Sequence, residues 1–330
     1  SLVGSEMCIR DRRNILMKKK AMAAVSAAVC ASMLLSACGS SASTSTTAAP
    51  AEPTAAEAKA EDTTAAAGPA ASGDVVTINI GFENTTEEPI GQAVEKWAEL
   101  LKEESNGTME LKVFANSALG NKSKLIDQMV MGENVITIAD GAFYADYGVP
   151  DLGILYGPFF FDNWDEVWKL IDSDWYKEQC SKLADKGLTV LGSNWVYGER
   201  ELMTKDKAVV PADIKGKKIR LANSQIYVEG FNALGATAVP MALGDVYTAL
   251  QNGTLDGVEN PLSTLYGQSF QEVTKNILMT GHILNFTTWC IGTDYLNTLT
   301  QEQQDLLFKT CEEAGLYNNE KQEALSLIHI

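Results

Sequence analysis

From Val75 onward the chain switches between two hydrophobic rhythms. V-V-T-I-N-I-G-F over 75–82 sets apolar residues at alternate positions, the period of a half-buried strand. Glu88-Pro89 then opens a stretch in which Ile90, Val94, Trp97, Ala98 and Leu101 recur at helical spacing. Pro89 suits a first helical position, and Asn106-Gly107 stops the run. M-E-L-K-V-F (109–114) alternates again. Residues 121–132 predict a helix closed by Gly132, and V-I-T-I-A-D (135–140) reads as a short buried strand. Strand–helix–strand–helix–strand is the signature of a mostly parallel α/β sheet. Its right-handed crossovers bring the carboxyl ends of the strands to one edge, where ligands bind.

The pattern resumes after Gly157-Pro158. It predicts a helix over 163–186 and strands over 189–198, 217–223 and 236–242. Helices are expected over 224–235, ending at Gly235, and 244–253, ending at Gly253. After L-D-G-V-E-N-P-L, the run I-L-N-F-T-T-W-C-I-G (283–292) leads into a helix over 301–315. Two α/β clusters result, roughly 74–197 and 198–285, with no internal repeat.

The residues before this body read differently. Lys18, Lys19 and Lys20 after Met17 form a basic region, followed by A-M-A-A-V-S-A-A-V-C-A-S-M-L-L, too short to span a bilayer. Leu35-Ser36-Ala37-Cys38-Gly39 resembles the bacterial lipobox, so 17–38 is expected to be a lipoprotein signal peptide, with Cys38 acylated as a membrane anchor. Residues 39–73 are Ala, Ser, Thr, Pro and Glu with almost no large apolar side chain, the composition of a disordered tether. Residues 1–16 and 324–330 resemble translated adapter sequence and are expected to be non-native, which would make His329 foreign to the protein.

Net charge is −17, and residues 1–38 are themselves basic, so the remainder is more acidic still. Nucleic acid is therefore excluded as a partner. The six cysteines form no C-x-x-C pair and have no histidine at metal-ligand spacing, so no metal site and no cofactor are expected. Cys180, Cys290 and Cys311 read as core or helix residues, with one disulfide possible outside the cell. Two histidines, His282 and His329, leave little for a Ser–His or Cys–His nucleophile. Gly120-Asn121-Lys122-Ser123 lacks the leading glycine of a phosphate loop and reads as a loop and helix N-cap.

What remains is a set of polar groups at strand ends. Arg220 stands between Ile219 and Leu221 in K-K-I-R-L-A-N. If those two face a core, alternation turns Arg220 the other way. Arg200 ends N-W-V-Y-G-E-R, Asn223 follows Arg220's strand, and Asn260 precedes Pro261. Two arginines and two amides converging on one cleft would make a carboxylate site, because a planar guanidinium gives parallel charge-assisted hydrogen bonds. Pairing of both arginines with surface acids is an equal reading of the pattern.

The stretch 198–263 carries G-E-R (198–200), D-I-K-G-K-K-I-R-L-A-N (213–223), G-A-T-A-V-P-M (235–241) and V-Y-T-A-L-Q-N-G-T-L-D-G-V-E-N-P (246–261). With A-L-G at 118–120 and H-I-L at 282–284, these resemble the solute-binding proteins of TRAP (tripartite ATP-independent periplasmic) transporters, over about 74–320. The resemblance implies an α/β, two-lobed periplasmic-binding fold of type II with a hinge and an interlobe cleft. Lobe I would comprise 74–197 and 286–323, and lobe II 198–285. It also implies that Arg220 anchors a carboxylate, that Arg200 is a second contact, and that Asn260 and Asn223 add hydrogen bonds. Glu83 and Asp140 would meet the rest of the ligand. Trp195, Tyr197 and Phe160 are candidates for the cleft wall, with core packing an equal reading for each. The family continues through further helices that brace the lobes, so hinge support is expected to be incomplete here.

The expectation is therefore a receptor for a small organic acid, not an enzyme, delivering its ligand to membrane permease subunits driven by an ion gradient. Glu83 and Asp140 suit hydroxyl groups, which favours a sugar acid or uronate over a C4-dicarboxylate. A ligand-sensing subunit feeding a signalling kinase is the alternative.

Overall fold

The computed structural model describes residues 75–328. The expected signal peptide, the expected lipidation site Cys38, the expected tether and His329 lie outside them. Eight strands make one sheet: β1 (Val76–Gly81), β2 (Met109–Phe114), β3 (Val135–Ala139), β4 (Leu188–Thr204), β5 (Lys218–Leu221), β6 (Thr237–Pro240), β7 (Gly257–Pro261) and β8 (Asn276–Gly292). Their order is β2-β1-β3-β8-β4-β7-β5-β6. Helices pack on it: α1 (Pro89–Glu104), α2 (Lys122–Val130), α3 (Gly141–Asp146), α4 (Pro150–Gly153), α5 (Trp164–Ile171), α6 (Asp174–Asp185), α7 (Gln225–Ala233), α8 (Val246–Gln251), α9 (Leu262–Gly267), α10 (Thr293–Leu296) and α11 (Gln301–Ile328).

The outer strands behave as the crossover pattern requires. β1 pairs in parallel with β2 and β3, and β5 pairs in parallel with β6 and β7. The centre differs from a mostly parallel sheet. β3–β8, β8–β4 and β4–β7 are antiparallel, and β4 and β8 are each 17 residues long. These two strands run through both halves of the molecule. Their register shifts four times, between Val190 and Leu202, and each shift adds local bend and twist. Gly198 sits in one of them at φ +129°, where an added Cβ would lie 2.8 Å from Pro261, so only glycine fits.

The predicted helix over 163–186 is two helices. Ser173 breaks it, its hydroxyl accepting the Tyr176 amide (3.2 Å) as the N-cap of α6. A strong cap residue within a helical run starts a new helix when the chain must turn. The last helix runs on past 315 to Ile328. It packs on α1 and β4 and is pinned by side chains. Trp97 donates to Thr310 (3.0 Å), Trp195 to the Cys311 carbonyl (3.1 Å), and Asn318 to the Val196 carbonyl (2.8 Å).

One apolar cluster gathers Ile78, Ile80, Trp97, Trp195, Trp289 and Leu307. A second gathers Val246, Leu250, Val258 and Phe270. A third joins Leu125, Tyr144 and Leu188 to Ile219, Leu221 and Phe286, so packing is continuous across the sheet. Among the described residues Cys180, Cys290 and Cys311 form no disulfide, and the last two are buried.

Candidate functional site

The carboxyl ends of β1, β5 and β6 converge on a cavity of about 310 Å³, lined by Glu83, Asn121, Lys122, Phe143, Arg220, Asn223, Met241 and Asp245 among others. This lies at the small end of small-molecule sites. A second cavity of about 460 Å³ shares Ser123, Phe143, Asn223 and Pro240 with it and extends toward Asp146, Tyr147 and Gln225.

Arg220 decides the character of the first cavity. Ile219 and Leu221 are fully buried, and Arg220, turned to the opposite face, is only 3% exposed. Alternation thus sends the guanidinium into the cavity and not to bulk water. Its Nε and Nη2 donate to the Met241 carbonyl at 2.9 and 2.7 Å, which fixes the plane of the group. Nη1 is buried and, among the described residues, has no partner. Burial lowers the pKa from arginine's usual value, and the nearby Glu259 and Glu83 carboxylates oppose that shift. A desolvated cation with an unused N–H edge is a ready receptor for an anion, since leaving such a donor unmatched is costly.

Arg200 lies outside the lining of both cavities, and its guanidinium is engaged within the sheet. Its Nη2 donates to Glu259 Oε1 (2.7 Å) and its Nε to Oε2, while Nη1 donates to Asn285 (2.7 Å). The guanidinium also stacks 5.0 Å from the Tyr227 ring centroid. These bonds tie β4, β7 and β8 together. Burial alone would raise the Glu259 carboxyl, but Arg200 overrides it and holds the pKa well below the usual carboxylate range. His282 Nε2 lies 3.4 Å from the same carboxylate, and Nδ1 is 2.8 Å from Thr280 Oγ1.

The other expected residues divide. Glu83 and Asn223 line the cavity. Asn260 is buried on β7 with its Oδ1 unpartnered, outside the lining. Asp140 is committed elsewhere: Oδ1 caps α3 by accepting the Ala142 amide (3.0 Å), and Oδ2 accepts the Tyr227 hydroxyl (3.2 Å). Trp195 is fully buried beside Trp97 and Trp289, so it is core and not cleft wall. Phe160 is 48% exposed, stacks edge-on with Phe161 and is not in the lining of either cavity. The Tyr197 hydroxyl accepts from Asn84 (3.0 Å) and Thr264 (3.1 Å), and burial pushes its pKa up to about 12. Phe143 and the Met241 carbonyl at the cavity, and Glu259 beside it, were not singled out in the sequence, and Lys122 was read only as part of a loop and N-cap. Glu259 and Met241 stand inside quoted motifs, which was the available signal.

The family model for bacterial extracellular solute-binding protein, family 7, matches residues 80–329. The chain belongs to this family. It is 31% identical over 243 residues to the 2,3-diketo-L-gulonate-binding periplasmic protein YiaO of Escherichia coli (strain K12), covering 73% of each chain. Two crystal structures of TRAP periplasmic solute-binding proteins are similar to it. That from Ochrobacterium anthropi, with bound L-fuconate, is 38% identical at a TM-score of 0.72, covering 76% of this chain and 86% of the other. That from Actinobacillus succinogenes 130Z, with bound L-galactonate, is 36% identical at a TM-score of 0.74, covering 75% and 82%. The fold is thus the two-lobed, type II fold of TRAP solute-binding proteins, a family of extracytoplasmic receptors. The strand-end motifs that resembled it belong to it.

Proposed function

We propose that this family 7 protein is the receptor of a TRAP-type transporter for a small hydroxylated organic acid, bound through its carboxylate by Arg220. The observation that carries the reading is the buried guanidinium of Arg220, oriented by the Met241 carbonyl and left with Nη1 unpartnered in the cavity. A carboxylate on that edge would gain charge-assisted hydrogen bonds in a desolvated setting. Glu83 and Asp245 line the same cavity, where their carboxylates would accept hydrogen bonds from ligand hydroxyl groups. That lining, with the sugar acids bound in the two similar structures, favours a sugar acid over a C4-dicarboxylate.

The cavity is built from α2 and α3 on one side and β5 and β6 on the other, so a ligand touches both halves only when they are shut. Ligand then favours closure by its differential contacts, and the closed form is what a permease would accept. The reading is of a binder and not an enzyme. Among the described residues no helix is long and apolar enough to cross a membrane, and acylated Cys38 would supply the anchor. The test is a thermal-shift screen against sugar acids and other organic acids. Arg220→Ala is expected to abolish the ligand-induced rise in melting temperature. A rise unchanged in that variant, or a response to neutral sugars alone, would sink the proposal.

A further inference from the structure

Away from the ligand cavity, α7 is bonded directly to the segment that follows β3. α3 follows β3 and α7 follows β5, strands that β8, β4 and β7 separate in the sheet, so a bond between the two helices spans the halves of the fold. Ser224 stands at the N-cap of α7, where a serine ordinarily accepts an amide of its own helix. It makes no such bond. Its buried hydroxyl donates instead to the Ala142 carbonyl in the first turn of α3 (2.7 Å). About one turn on, the buried Tyr227 hydroxyl donates to Asp140 Oδ2 (3.2 Å), whose other oxygen caps α3. The Gln225 amide donates to Oδ2 of Asp146, the last residue of α3 (3.3 Å). Gly230 admits Pro158 closely, since an added Cβ would lie 3.2 Å from the proline Cγ. Residues 224, 227 and 230 recur at helical spacing, so one face of α7 meets 140–158. Tyr227 and Asp140 line neither cavity, and Ser224 lines only the second.

We infer that Ser224 and Tyr227 are positioning residues, a latch that holds the receptor shut around an acid they do not touch. Resting on the ligand-driven closure proposed above, the latch adds a second source of closing free energy, built from protein groups alone. Its bonds form when the halves meet and are exchanged for water when they part. Each is worth little net, so the latch by itself does not close the empty receptor, which also buries the unmatched Nη1 of Arg220. The ligand tips the balance, and the apparent affinity scales with how far closure is favoured. Because the latch forms after the acid has entered, its loss speeds release and leaves association near its original rate.

Two variants isolate the latch. Tyr227→Phe keeps the ring beside Arg200 and removes the hydroxyl, and Ser224→Ala takes no side-chain cap from α7. Isothermal titration and stopped-flow release measurements on the full chain, with galactonate as the probe, give the test. Each variant is expected to bind about three- to tenfold more weakly than wild type, the worth of one hydrogen bond, almost all of it as faster release. Without galactonate both should melt with the empty wild type, because the open form has no latch to lose. A release rate unchanged in both variants overturns the latch. So does a drop in melting temperature as large without galactonate as with it, the mark of a purely structural role. Failure of the underlying reading looks different, since galactonate binding would then persist in Arg220→Ala. Absence of galactonate binding by wild type overturns both.

Discussion

Arg200 and Glu259 face each other from neighbouring antiparallel strands as a two-point ion pair, 3% and 0% exposed, with Nη2 to Oε1 at 2.7 Å. Replacing the carboxylate by an amide leaves the buried guanidinium without its counter-charge and with one fewer acceptor, beside Asn285. Glu259→Gln is expected to cost about 3 kcal/mol in urea unfolding, the lower range for breaking a buried pair. The pH dependence has a definite sign. Glu259 has a folded pKa depressed below its unfolded value. Its contribution is therefore full above the ordinary glutamate range and is lost as pH falls beneath it. Wild type should lose stability more steeply than Glu259→Gln below about pH 4. Parallel curves would show that the pair does not couple to folding.

Glu88 works in the opposite sense. It is buried, accepts from the Thr85 amide (3.0 Å), Asn84 (2.7 Å) and Gln268 (3.0 Å), and packs against Gly267, tying the start of α1 to the end of α9. Burial raises its pKa despite these donors. An acid whose folded pKa is raised contributes stability that is full below the unfolded value and declines as pH rises through the folded one. Glu88→Gln removes that dependence. The stability of the variant relative to wild type should therefore improve between about pH 4 and pH 7, whatever the fixed cost of the amide. Thermal melts at the two pH values giving the same gap would contradict this.

The alternating and helical rhythms located most elements because each strand and helix buries one periodic face, as α1 does with Ile90, Val94, Trp97 and Leu101. The central antiparallel pairing of β4 and β8 was not legible. Nothing local in N-W-V-Y-G-E-R announces that the strand continues to Thr204 beside a partner about 80 residues away. Arg220 was legible because its two strand neighbours are strongly apolar. Arg200 was legible as important, but its partner was not. A buried Arg–Glu pair and a ligand-facing arginine look alike until the fold brings Glu259 alongside. Asp140 carries a related ambiguity: a polar residue at a strand end is as useful for capping the next helix as for meeting a ligand, and here it caps α3. Lys122 escaped because an N-cap explained its neighbourhood, and its place on the cavity is a tertiary fact.

Trp195 illustrates an aromatic whose role is packing. It is fully buried between Trp97 and Trp289, with ring centroids at 6.1 and 5.3 Å, and its indole N–H donates to the Cys311 carbonyl. Trp195→Ala should cost about 3–5 kcal/mol, the range for truncating a large core aromatic. Trp195→Phe should cost less, retaining most contacts and losing the bond to α11. Below the unfolding transition, acid affinity should stay near that of wild type in both. A selective loss of affinity at full stability would return Trp195 to the cleft.

Arg220 separates binding from stability. Its guanidinium spends Nε and Nη2 on one carbonyl and leaves Nη1 without a partner among the described residues, an arrangement that depends on a rigid planar fork. The ammonium of Arg220→Lys is a point charge that cannot both hold the Met241 carbonyl in that geometry and present a second fixed donor. Its thermal shift with sugar acids should fall nearly as far as that of Arg220→Ala. Burial, the largest influence on Arg220, disfavours its charged form, so holding the cation without ligand is a cost to the empty receptor. Arg220→Met, of similar length and without charge, should therefore unfold at or above the wild-type temperature in the absence of ligand, while failing to respond to acid. An empty Arg220→Met protein markedly less stable than wild type would mean that the guanidinium serves the fold first and the ligand second.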